Sequence, residues 1–195
     1  MTDSGSPVEL DALTHLRHML GPDAGFRPGQ VEAIEAVARD RGRVLLVQRT
    51  GWGKSAVYFI ATKLLREQGA GPTLLVSPLL ALMRNQIEMA AHIGVRAETI
   101  NSTNPEEFGP IVERLGDDEI DLLLVSPERF ANERFREQML SVIARTVGLL
   151  VSTKRTASAT GDTTSARTIG ASCGCSRRCP MVCPCSARPR PRTTG

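Results

Sequence analysis

The chain has 195 residues and a formal net charge of +3, with 41% hydrophobic and 23% charged residues, enough for one domain with a sizeable core. The charge is an average of two unlike parts: residues 1–150 hold 16 basic and 20 acidic side chains, whereas residues 151–195 hold 8 basic and one acidic, Asp162, together with all 5 cysteines. The mild overall basicity therefore gives no argument for nucleic-acid binding. No apolar run approaches the roughly 20 residues needed to cross a bilayer, and the opening Met-Thr-Asp-Ser-Gly-Ser-Pro lacks the basic start and apolar centre of a signal peptide. A cytoplasmic protein without a membrane partner is the expectation, and cysteine-free sequence through residue 150 suits a reducing compartment.

In chain order, Leu10, Leu13, Leu16, Met19 and Leu20 mark one helical face. Val31, Ile34, Val37 and Ala38 mark a second face after Pro28-Gly29. Strands and helices then alternate. Val44–Val47, Thr73–Val76, Ala97–Ile100, Leu122–Val125 and Val147–Val151 read as short strands, with helical stretches near 54–68, 79–93, 105–115 and 128–144 between them. Apolar runs without polar alternation imply strands covered on both faces, so the fold expected is α/β with a mainly parallel, doubly wound sheet. After Val151 the pattern stops. Among the remaining residues only Val151, Ile169, Met181 and Val182 are large and apolar, and Arg188-Pro189-Arg190-Pro191-Arg192 continues neither helix nor sheet, so a disordered tail is expected. Three segments result: 1–24 as an N-terminal helical segment, 25–151 as the α/β domain, and 152–195 as a Cys/Arg/Pro-rich tail.

The most informative stretch is Gln48-Arg49-Thr50-Gly51-Trp52-Gly53-Lys54-Ser55, directly after the Val44–Val47 strand. Its two glycines allow a tight turn that brings backbone N–H groups toward phosphate oxygens, and a helix starting near Lys54 adds its positive dipole end. Lys54 is expected to pair with β- and γ-phosphates and Ser55 to ligate Mg²⁺. The residues expected to bind ATP in this loop are Thr50, Gly51, Trp52, Gly53, Lys54 and Ser55. Gln48 stands where the general phosphate-loop pattern has glycine, which makes this a helicase-like variant. Trp52 replaces a small residue; it either shields the nucleotide or faces a second domain.

With the loop placed, residues 10–151 resemble the RecQ-like DNA helicases of superfamily 2, of the DEAD/DEAH-box type. Phe26-Arg27-Pro28-Gly29-Gln30 is similar to the family's adenine-recognition segment, which implies that Arg27 and Gln30 contact the base. A Pro-Gly turn opening a helix accounts for the proline and glycine alone. Val76-Ser77-Pro78 with Leu79–Gln86 resembles the family motif that contacts single-stranded DNA, although Ser-Pro alone is also a plain helix start. Asn101-Ser102-Thr103 and Val125-Ser126-Pro127-Glu128-Arg129-Phe130 continue the order. The resemblance thus implies a RecA-like lobe that uses ATP and Mg²⁺, and a DNA surface including Ser77, Pro78, Arg84, Gln86, Asn101, Ser102, Ser126 and Arg129. It also implies 3′-to-5′ unwinding by the intact protein, and a nucleoid-associated bacterial location. His15, His18 and His92 have no metal-ligand spacing and no assigned role.

The resemblance breaks at the last strand. The family carries an Asp-Glu-Ala-His box there, whose carboxylates hold Mg²⁺ and orient the attacking water; this chain continues Ser152-Thr153-Lys154-Arg155 with no acid before Asp162. No catalytic residue is therefore assigned. With permitted synonymous codons, Ser152 to Gly170 re-reads in a shifted frame as Asp-Glu-Ala-His followed by an aromatic-rich run, and Arg188 to Thr193 as Thr-Ala-Thr-Ala. A single-base loss near codon 151 or 152 accounts for both. Cys173, Cys175, Cys179, Cys183 and Cys185 either bind Zn²⁺ or are a by-product of out-of-frame, GC-rich codons. Because the resemblance implies that the Thr-Ala-Thr strand lies beside the phosphate-loop strand, its loss is expected to open the middle of the sheet, favouring poor folding and aggregation.

Overall fold

A computed structural model describes residues 6–78, 84–100, 108–153 and 165–171. Helix α1 (Pro7–Leu20) starts where Ser6 accepts a hydrogen bond from the Glu9 N–H at 3.1 Å, with Pro7 in the first turn, and it stops at Gly21. Helix α2 (Gln30–Ala38) follows Gly29, whose φ of 86° few residues other than glycine adopt. The alternating part then runs β1 (Arg43–Gln48), α3 (Lys54–Glu67), β2 (Thr73–Val76), α4 (Arg84–Ala91), β3 (Ala97–Ile100), α5 (Phe108–Gly116), β4 (Leu122–Val125), a 3₁₀ turn (Pro127–Ala131), α6 (Glu133–Thr146) and β5 (Leu149–Thr153). A last strand, β6, covers Ser165–Ala171.

The sheet order is β1-β6-β5-β2-β4-β3. Strands β2, β3, β4 and β5 are mutually parallel, and β6 pairs antiparallel with both β1 and β5, so β1 runs in the common direction too. Alternation along the strands sends neighbouring side chains to opposite faces. Leu46, Leu75, Leu122, Leu124, Leu149 and Val151 pack against α1, α2 and α3, while Leu74, Leu123 and Val125 meet Ile111, Leu115, Phe135 and Met139 of α5 and α6. Every residue of β4 is buried, as a central parallel strand requires. The second helical layer stops short of β1 and β5, where Leu45, Val47 and Leu150 stay exposed on one sheet face.

Two features fasten the sheet edges away from the phosphate loop. Asp121, just ahead of β4, accepts from the Arg96 N–H at 2.8 Å, from the Arg96 guanidinium at 2.9 and 3.0 Å, and from Arg66 Nε at 2.8 Å. Gly71 and Gly148 form a backbone crossing so close that a Cβ on Gly71 would lie 1.6 Å from the Thr146 carbonyl oxygen.

Three differences from the sequence reading have physical causes. The strand expected at Val147–Val151 is shifted to Leu149–Thr153, because Val147 still bonds back to Ile143 at the end of α6 and Gly148 is held to the Pro72 carbonyl. The helix expected near 128–144 is split into a 3₁₀ turn and α6, since Asn132 accepts from the Phe135 N–H at 3.0 Å and restarts the helix. The sheet, expected to end at Val151 with an open gap beside β1, contains β6 in that gap. Unpaired ladder groups on β1 and β5 accept any extended backbone, and the Arg43–Gln48 register against Ser165–Gly170 satisfies them. Residues 154–164 and 172–195, including the five cysteines, lie outside the described residues.

Candidate functional site

Parallel strands place their carboxyl ends along one edge, where ligands of such sheets bind. Here that edge gathers the loop after β1, Ser77 and Pro78 after β2, Ser126 to Arg129 after β4, and Ser152 and Thr153 at the end of β5.

In the loop, Gly51 and Gly53 have φ of 81° and 92°. Helix α3 begins with Gly53 as its N-cap and makes no side-chain cap hydrogen bond, and a helix N-terminus of this kind favours an anion. Lys54 is only 5% exposed, and its ammonium donates to the carbonyls of Gln48 and, at 2.8 Å, Arg49. A buried cation folded back on its own loop, beside uncapped helix N–H groups, is the donor chemistry that triphosphate oxygens fit. Ser55 opens the same helix and is half-buried. Thr50 is exposed on the loop.

The Phe26–Gln30 segment closes over the loop from one side. Arg27 donates through Nη1 to the Gly51 carbonyl, and Gln30 donates through Nε2 to the Trp52 carbonyl at 3.0 Å and the Gly53 carbonyl at 3.4 Å. The Gln30 side-chain oxygen accepts from the Arg27 N–H at 2.9 Å. Gln30 is buried, and a Cβ at Gly53 would fall 2.7 Å from its Nε2, so glycine is required there for closeness as well as for φ. The segment and the loop thus come together through the loop's backbone, a contact that residue types alone do not reveal. Trp52 lies in neither position expected of it: it is 8% exposed and belongs to the core cluster beneath α2 and α3.

Farther along the edge, Ser77 is buried and its N–H donates to the Val125 carbonyl at 3.1 Å, while Pro78 is half-buried. Ser126 is buried, with its N–H directed at the Ile100 carbonyl at 3.4 Å. The Arg129 guanidinium sits 5.5 Å from the Phe135 ring centre; its Nε and Nη2 are buried and find no hydrogen-bond partner among the described residues. Such a group is costly unless an anion or acceptor completes it. Arg84 and Gln86 lie on α4, but their side chains are outside the described residues, as are Asn101 and Ser102 altogether. Thr153, to which the sequence reading gave no role, also meets this edge: it donates its hydroxyl to Ser77 at 2.8 Å, both side chains buried. Their separation of 76 positions left no local signal.

The fit to the two groups of a metal-nucleotide differs. The loop, Lys54 and α3 suit a triphosphate. The metal half does not match hydrolytic chemistry, since the end of β5 offers the hydroxyls of Ser152 and Thr153 where carboxylates would be needed, and the latter is already engaged by Ser77. Among the described residues no group of three or more His, Cys, Asp or Glu side chains is placed to hold a metal, and no helix is long and apolar enough to cross a membrane.

A parallel sheet wound by helices, with a glycine-flanked lysine loop between its first strand and the following helix, defines a P-loop nucleotide-binding lobe of the RecA-like kind. The chain belongs to the DEAD/DEAH box helicase family, which it matches over residues 27–152. Within that family it resembles the N-terminal part of RecQ-like helicases. It is 34% identical over 123 residues to the ATP-dependent DNA helicase RecQ of Bacillus subtilis, covering 62% of this chain and 20% of that protein. It is 34% identical over 125 residues to the RecQ of Haemophilus influenzae, covering 64% of this chain and 19% of that protein. Against the putative ATP-dependent DNA helicase Q1 of Caenorhabditis briggsae it is 32% identical over 127 residues, 64% of this chain and 19% of that protein. The chain thus spans about a fifth of the length of these curated relatives.

Proposed function

We propose that residues 25–151 are the nucleotide-holding part of the first motor lobe of an ATP-dependent, 3′-to-5′ RecQ-like DNA helicase, and that this chain binds ATP and DNA without hydrolysis or unwinding. The observation that carries the reading is the buried Lys54 ammonium in the loop after β1, set against Ser152 and Thr153 at the end of β5. Arg27 and Gln30 read the adenine, the backbone of the Thr50–Gly53 loop and the Lys54 ammonium hold the phosphates, and Ser55 contributes an oxygen to the nucleotide's Mg²⁺. Supplied with carboxylates, that metal would stabilise charge on the transferred phosphoryl group; the end of β5 carries Ser152 and Thr153 instead. Calorimetric titration with Mg-ATP tests it. Saturable binding lost in Lys54→Ala is expected, while DNA-stimulated ATP turnover by the wild-type chain would overturn the inactive reading.

The DNA surface runs along the same edge through Ser77, Pro78, Arg84, Gln86, Asn101, Ser102, Ser126 and Arg129. The buried, unpartnered guanidinium nitrogens of Arg129 support it. Replacing Arg129 with Met should weaken single-stranded DNA binding and lower the salt-dependence slope by about one phosphate contact. An unchanged slope would remove Arg129 from the surface.

From residue 152 onward we infer out-of-frame translation. The family match stops at that residue, and the acids fail at the same point. Reading the nucleotide sequence around codons 145–155 decides it: an intact frame, with relatives sharing the cysteine-rich ending, would refute the inference.

A further inference from the structure

We propose that Trp52 is a positioning residue that seats the base-reading segment on the phosphate loop, and so sets how strongly the adenine adds to the affinity of the phosphates. The inference rests on the nucleotide reading above. Trp52 is the single residue with a side chain between Gly51 and Gly53, two positions at positive φ that give the backbone wide freedom. Its indole is turned away from the open edge and into the core, where ring atom Cζ2 lies 3.7 Å from the place a Cβ on Gly29 would occupy. Gly29 is the left-handed turn immediately before Gln30.

The two segments are therefore fastened twice. Polar bonds run from Arg27 and Gln30 to three successive loop carbonyls, those of Gly51, Trp52 and Gly53. The indole packs beneath the turn that carries those donors. The Arg27 bond is exposed and the Gln30 bonds are buried or partly so; each exchanges a bond to water for one within the chain and contributes only modest net free energy, whereas a buried indole brings the large apolar area of an aromatic side chain. With a small residue at 52 the Arg27–Gln30 segment loses its support and drifts from the loop. The phosphates would still find Lys54 and the N-terminus of α3. The base would not find its partners at the right distance, because the cost of ordering the segment would fall on ligand binding.

The test compares Mg-ATP with Mg-tripolyphosphate, which carries no base, by calorimetry on the full chain. In the wild type ATP should bind more tightly than tripolyphosphate. Trp52→Ala should lower that ratio by about tenfold with tripolyphosphate affinity retained, and Trp52→Phe should keep the ratio. An unchanged ratio in a folded Trp52→Ala chain would overturn the role of Trp52 and leave the nucleotide reading standing. Absence of any wild-type binding to either ligand would overturn both. A measurement on the unaltered protein guards against an alanine variant that fails to fold: Trp52 is the only tryptophan, so acrylamide quenching of its emission reads its seating directly. Weak quenching, with little change when Mg-ATP is added, is expected. Strong quenching in the free chain, or an emission collapse on ATP that marks stacking with the base, would refute the proposal.

Discussion

Neutralising Asp121 should weaken the fold, and the loss should fade in acid. Burial alone would raise the Asp121 carboxyl pKa, but hydrogen bonds from the Arg96 guanidinium and N–H and from Arg66 outweigh it and hold the group at about 2, against 3.8 for an unperturbed carboxyl. A folded-state value below the unfolded one stabilises the native chain above the unfolded pKa, and that stability disappears as pH falls through the folded value. The difference corresponds to roughly 2 kcal/mol at pH 7, an upper figure because the Arg96 partner is half-exposed and screened by solvent. Denaturant unfolding of the wild type and Asp121→Asn, followed by circular dichroism from pH 7 to pH 2, measures the gap between them. It should be near full size above about pH 5, fall to about half near pH 3, and shrink to a few tenths of a kcal/mol near pH 2. A gap that stays constant across this range would show that the aspartate acts through shape alone, refuting the electrostatic argument.

Two further outcomes follow from packing. Gly71→Ala places a methyl group 1.6 Å from a backbone carbonyl, so it should cost roughly 3 kcal/mol or more; an equal unfolding midpoint would mean that the β2 and β5 entries are not crossed as described. Leu45→Lys with Val47→Thr removes apolar surface that is 62% and 44% exposed, so soluble yield should rise while stability changes by less than about 1 kcal/mol. Sedimentation before and after the double substitution checks it.

The parallel sheet was legible because β4 is an unbroken apolar run and β2 carries three apolar residues in a row after Thr73, the pattern of strands buried on both faces. The start of α3 was legible for a similar reason: glycine, lysine and serine after an apolar strand form a local signal whose chemistry depends on few distant residues. What stayed hidden depended on partners far away in sequence. The end of β5 continues through polar Ser152 and Thr153 because Ser152 pairs with Val76 of β2, both residues pair with β6, and Ser77 receives the Thr153 hydroxyl. The Trp52 ring lies beside Gly29, 23 positions earlier, and no local pattern announces that contact. Strand β6 carried no apolar alternation at all, since its place in the sheet is set by the needs of two neighbouring backbones.

That last point bears on how much function a divided lobe can keep. Holding a triphosphate needs β1, its loop and α3, all of which precede residue 68. Hydrolysing it needs acids at the end of β5, separated from β1 by the single strand β6 and hence about 10 Å across the sheet. A strand in that interval preserves the spacing whichever direction it runs, because ladder pairing fixes the distance between backbones and not the identity of the side chains. Geometry and chemistry therefore separate: β6 keeps the two strand ends two strand spacings apart, while the hydroxyls of Ser152 and Thr153 supply none of the charge that would bind a metal. Restoring carboxylates there would face a second obstacle, since Thr153 is buried against Ser77 and an acid at that site must first be desolvated. For this reason binding and turnover are expected to part company in this chain, with nucleotide affinity resting on Lys54 and turnover absent.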